Sequence, residues 1–265
     1  MDFKRIQTII DKEWAEVFKN RLVLFTIVLL PLIFTALPLG LLYSTRGAAA
    51  SGGDVTDLPP QFLQACGTIP AGDCFQIYLL NQFMALFMMM PLIIPITIAA
   101  YSIVGEKTTR SLEPLLATPI TTEELLAGKS LAAAIPAVLA TWGCFVIFML
   151  AAPLVGARPN VVSGLFFNPV WLLAVFAAGP LMALIAVNLA IIVSARVNDP
   201  RAAEQISAVV IVPLLAIVFA QIAGLIVLNL QFMLTALVVL AVLAALLIAA
   251  GARLFQREII LTKWK

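Results

Sequence analysis

Gly128-Lys129-Ser130 has the residue types that close a phosphate-binding loop, in which successive backbone N–H groups wrap the phosphates. The spacing denies that chemistry. The position of the first loop glycine holds Glu123, whose carboxylate repels phosphate, and the residues before it read as helix rather than strand. Lys129 is expected instead at a membrane edge, its ammonium reaching lipid headgroups. Acid–base and metal chemistry lack equipment: the chain has no histidine and three scattered cysteines. Cys66 and Cys74 either close a short loop as a disulfide facing an oxidising compartment or remain thiols, while Cys144 packs within an apolar run. No metal site or catalytic group is expected. The residues suited to contact a cargo are Asn188, Gln221 and the methionines Met84, Met88, Met89 and Met90. The same amides serve equally as interhelical hydrogen-bond partners, and the same methionines as core filler.

The elements around these residues are apolar to a degree that soluble domains never need. Of 265 residues 63% are hydrophobic, and the mean hydropathy is +1.09. Six runs, at about 22–43, 78–104, 131–155, 170–194, 207–228 and 232–252, approach the ~20 residues that cross a bilayer as helix. An all-α polytopic fold with six transmembrane helices follows. The first run is too long, and too closely preceded by an acidic amphipathic segment, to be a cleavable signal. Of the 16 Lys and Arg residues, all but Arg46 and Arg158 fall on the side shared by both termini. The positive-inside bias therefore predicts cytoplasmic termini and a multi-pass protein of a plasma membrane. Before the first span, Phe3, Ile6, Ile9, Ile10, Trp14, Val17 and Phe18 recur at helical spacing and predict an amphipathic helix, either lying on the membrane or binding a partner. The spans lack central Asp, Glu, Lys or Arg, which disfavours an ion-coupled carrier. The net charge of +2 gives no reason to expect nucleic acid.

The remaining feature is a charged interruption. GEKTTRSLEPLLATPITTEELLAGKS, residues 105–130, carries seven charged side chains in a chain that is 11% charged. Thr121 and Glu124 form a Thr-x-x-Glu capping box, with Ile120 and Leu125 in staple positions, which predicts a helix running into the third span. Upstream, Ser111 can cap a short helix that Pro119 stops, with Leu112, Leu115 and Leu116 on one face. Three leucines on a loop require a cover: the protein's own span ends, lipid, or a docked partner. Farther on, Asp199 and Pro200 predict a helix start by N-cap and first-turn proline.

Gly105-Glu106, Leu112-Glu113, Leu115-Leu116, Thr118-Pro119, Leu125-Leu126 and Gly128-Lys129 resemble the signature insert of ABC-2-type transporter permeases. Lys12-Glu13-Trp14 through Asn20-Arg21 is similar to the same family's approach to its first span. The resemblance implies that six spans form half of a transmembrane dimer, homomeric or heteromeric. Each half would dock a separate ATP-binding-cassette subunit that uses ATP and Mg, so this chain binds no cofactor and is not itself an enzyme. Glu106, Leu112, Glu113, Leu115, Leu116, Thr118 and Pro119 would be the coupling residues, and export the activity. Arg110 stands where the family often has glycine, and the short connection at Asn229–Gln231 leaves no room for the re-entrant helices of some branches. A secondary carrier, or a scaffold that only recruits a cytoplasmic protein, are the competing readings. The substrate is not legible in the residues.

Overall fold

The computed structural model describes residues 2–50, 69–108 and 120–254, which are helical with no strand among them. The helices are α1 (Phe3–Val17), α2 (Arg21–Ala50), α3 (Ala71–Phe87), α4 (Met90–Thr108), α5 (Thr122–Val155), α6 (Pro159–Phe166), α7 (Pro169–Leu173), α8 (Gly179–Ser194), α9 (Pro200–Ser207), α10 (Ile211–Ile222) and α11 (Leu230–Leu254). Six stretches are long and apolar enough to cross a membrane: Val23–Arg46, Ala71–Glu106, Thr122–Val155, Pro169–Ser194, Pro200–Ile222 and Leu230–Arg253.

The second and fourth stretches form the centre, and the others wrap around them. In its most apolar 18 residues Ala71–Glu106 is 78% buried, whereas the same lengths of Pro200–Ile222 and Leu230–Arg253 are each 11% buried and turn apolar faces outward. α4 packs on α5, α8 and α9, and α8 packs on α11. Small side chains permit this closeness: Ala100 and Ala203, on α4 and α9, are fully buried, as small residues at membrane helix contacts usually are. α5 closes on α6 through Phe148 and Phe166, rings 5.3 Å apart and edge to face. It ends at Gly156, whose φ of 110° lies in the left-handed region that glycine tolerates.

Proline breaks two of the central spans. Pro91 has no N–H for the carbonyl of Phe87, so the second span parts at Met88-Met89 into α3 and α4. In the fourth, residues Ala174–Ala178 form a π turn before Pro180, with Gly179 N–H bonded to Ala174 O. That pattern leaves Val175 O facing Pro180, which has no proton to give. The indole of Trp142, on α5, donates to this carbonyl at 3.0 Å.

The membrane-crossing stretches do not stop where the apolar runs do: the second begins at Ala71 rather than at 78. α5 begins at Thr122, as the capping box predicts, and its 34 residues extend ~50 Å, well beyond a ~30 Å hydrocarbon core. The Asp199 cap starts a helix at Pro200, as its residue types predict, and the fifth stretch takes in Arg201 and Glu204 and ends at Ile222. Residues 223–229 then make a non-helical connection longer than the three residues expected. At the end opposite α1, Asp73 is buried, paired with Arg158 Nη1 at 3.2 Å and accepting from Asn160 Nδ2 at 3.1 Å.

Candidate functional site

The charged insert lies between α4 and α5, and α1 lies across the roots of both helices. Ile6, Ile9 and Val17 are buried against the chain itself, whereas Phe3 and Phe18, on the same stripe, are 76% and 54% exposed. The fit is close at Gly128, where an added Cβ would stand 2.7 Å from Ile9 Cγ2. Trp14 makes the second tie. Pro136 cannot bond to Ala132 O, one turn back in α5, and the Trp14 indole donates to that carbonyl at 2.9 Å.

Around these contacts runs a chain of ion pairs. Lys129 Nζ lies 2.6 Å from Glu13 Oε1, 2.8 Å from Glu106 Oε2 and 2.9 Å from Ser102 Oγ. Lys12 donates to the other oxygen of Glu106 and lies 3.6 Å from Glu16. The side chains of Lys129, Glu13 and Glu106 are only 6%, 3% and 3% exposed. Partial burial pushes the Lys12 ammonium down, but its hydrogen bond to Glu106 and the carboxylates of Glu106, Glu13 and Glu16 outweigh this and raise it above the ordinary lysine value. Nearer the helix start, Glu124 completes the expected capping box with Thr121 and also accepts the backbone N–H of Asp2 at 2.8 Å. Arg5 Nη1 lies 3.6 Å from the same carboxylate. Two lysines balance two buried glutamates, and one helix thereby holds both ends of the insert.

This arrangement corrects the reading of Lys129, whose ammonium reaches Glu13 and Glu106 instead of lipid headgroups. Glu106 belongs to the same cluster. Leu112, Glu113, Leu115, Leu116, Thr118 and Pro119 lie outside the described residues, as does Cys66. Cys74 is disulfide-bonded and Cys144 is free. Among the pathway candidates, Asn188 is buried, donates to Leu184 O at 2.8 Å and turns its oxygen toward Gly251 of α11. Met84, Met88 and Met90 are core residues, and Met89 is half-buried. Among the described residues, Gln221 Oε1 is buried without a hydrogen-bond partner, and so are both polar atoms of Gln82 on α3, which packs against α10. Sequence reading overlooked Gln82, although an amide in an apolar run is a visible signal.

A second polar group lies near the α1 end of the molecule. Phe25 and Thr26 of α2, Thr97 and Tyr101 of α4, and Arg201, Glu204 and Gln205 of α9 line an open recess of ≈ 360 Å³. Thr97 Oγ1 donates to Glu204 Oε1 at 2.6 Å. No group of three or more metal-ligating side chains occurs among the described residues.

A bundle of six apolar helices, with a charged insert braced at one end, defines a multi-pass membrane protein. Residues 7–235 match the family model for the ABC-2 family transporter protein, and the chain belongs to that family. No curated protein matches it. Membership makes the chain a membrane component of a transporter, with no catalytic machinery of its own implied.

Proposed function

We propose that this chain is the permease subunit of an ATP-driven exporter in a prokaryotic plasma membrane. It pairs with a second permease subunit and docks a separate ATP-binding-cassette subunit on its cytoplasmic insert. ATP and Mg act in that partner. The braced insert carries the reading. A loop that transmits force to α4 and α5 needs stiff roots, and the Glu13–Lys129–Glu106–Lys12 cluster stiffens both at once. Packed, ion-paired elements of this kind move as units rather than deforming gradually. A secondary carrier finds less support, because the ionisable side chains inside the spans lie near the span ends. A passive scaffold would not require the two sides of its docking loop to be locked to a third helix.

Leu112, Leu115 and Leu116 form the proposed contact with the ATPase, with Glu113, Thr118 and Pro119 shaping the insert. Burying one leucine contributes ~1.5–3 kcal/mol, and Leu116→Asp would also force a carboxylate into an apolar cleft. The variant is expected to reach the membrane at normal levels and to lose ATPase co-purification or transport-coupled hydrolysis. An intact, fully coupled complex would remove the insert from its assigned role.

A further inference from the structure

The recess between α2, α4 and α9 is lined by one carboxylate, Glu204, and one guanidinium, Arg201. Arg201 and Glu204 lie in the first turns of α9, at the start of the fifth membrane-crossing stretch. They stand three residues apart on α9, hence on neighbouring positions of one face. Yet among the described residues neither has an ion-pair partner. Glu204 Oε1 accepts from Thr97, a residue only 2% exposed, which anchors the carboxylate at the floor of the recess. Its other oxygen accepts no hydrogen bond among the described residues. Arg201 is exposed at the rim. Phe25 and Tyr101 also line the recess, and aromatic rings suit an ammonium group by cation–π attraction.

The borders of the recess are apolar. On α2, Phe25, Val28 and Leu32 are 61%, 52% and 60% exposed, and beyond α9, Val209 and Val212 are 60% and 57% exposed. A ligand seated here therefore meets a carboxylate inside, a guanidinium outside and two greasy flanks. A simple hydrophobic cation leaves Arg201 unanswered, and an anion is repelled at the floor. We propose that the recess binds a zwitterionic amphiphile with a primary ammonium head and an adjacent phosphate. The ammonium donates to Glu204, the phosphate takes a charge-assisted contact from Arg201, and the chain lies along α2 or α10. This deepens the transport reading by naming a cargo class and the place where it is first held. Binding itself requires neither the ATPase nor turnover, so failure here leaves the coupling proposal standing, and the reverse holds too.

The test uses the full chain in dodecyl maltoside, titrated by native mass spectrometry with three probes. These are lysophosphatidylethanolamine, lysophosphatidylglycerol and dodecylammonium. The wild type should bind the ethanolamine lipid at least about tenfold more tightly than the glycerol lipid. Glu204→Gln, which keeps an oxygen to accept from Thr97, should abolish that preference. Arg201→Gln should weaken both phosphate-bearing probes and spare dodecylammonium. Thr97→Val separates ligand recognition from a structural role, because it removes the hydrogen bond and keeps the carboxylate; selectivity should survive it. Equal affinity of the wild type for the two lysolipids, unchanged preference in Glu204→Gln, or the same loss for all three probes in both charge variants would each overturn the proposal.

Discussion

Replacing Lys129 by Met keeps the length and apolar stem of the side chain and removes its charge. Lys129 stands between Glu13 and Glu106, at 2.6 and 2.8 Å, and all three side chains are at most 6% exposed. The variant leaves two buried carboxylates facing Lys12 alone, which is itself 39% exposed. Removing one partner of a buried pair costs ~3–5 kcal/mol, because the remaining charge is stranded. The loss should appear as detachment of α1 rather than global unfolding, since α4 and α5 are also held by apolar packing on each other and on α8. At ~1.4 kcal/mol per tenfold, the population with α1 detached should rise at least about a hundredfold. Amide hydrogen exchange across Phe3–Val17, measured by mass spectrometry on the purified chain, reads that population. The double variant Glu13→Gln/Lys129→Met restores neutrality, with Lys12 facing Glu106, and should exchange more slowly than Lys129→Met. If Lys129→Met protects α1 as well as the wild type does, or if the double variant is no better than the single, the ion cluster is not what holds α1.

Further outcomes follow from the same contacts. Trp14→Phe keeps the ring's bulk but leaves Ala132 O without its donor, so α1 should loosen by ~1–3 kcal/mol. In a Pro136→Ala background the residue-136 N–H can take that carbonyl, and the cost of Trp14→Phe should largely vanish in the same exchange measurement. The Lys12 shift is upward, so its stabilising contribution is complete below the ordinary lysine value of 10.5 and is lost as pH rises through the raised value. A fluorophore on Thr8→Cys, with the native cysteines replaced, should keep constant anisotropy from neutral pH to that value and lose it only above. For topology, single cysteines at Lys107 and Asp57 are to be labelled from outside intact cells. Only Asp57→Cys should react; modification of Lys107→Cys would invert the proposed orientation.

Features set by neighbours in sequence were legible without coordinates. Span length depends on a count of apolar residues, and six stretches long and apolar enough to cross a membrane occur in the expected order. The Thr121–Glu124 capping box and the Asp199–Pro200 helix start are closed by atoms two or three residues apart, so the residue types alone imply them. Family resemblance was likewise carried by short motifs, and the match over residues 7–235 agrees with it. Other features need partners that sequence proximity cannot supply. Glu13 and Lys129 are 116 positions apart, and their charges suit exposed helix faces until Ile6, Ile9 and Val17 bring α1 onto α5. Proline-freed carbonyls show the same division. Pro136 and Pro180 announce in the sequence that Ala132 O and Val175 O need new donors, because a missing N–H is a local fact. That Trp14 and Trp142 provide them depends on how the helices pack, since an indole can reach a carbonyl only after burial has placed the two side by side.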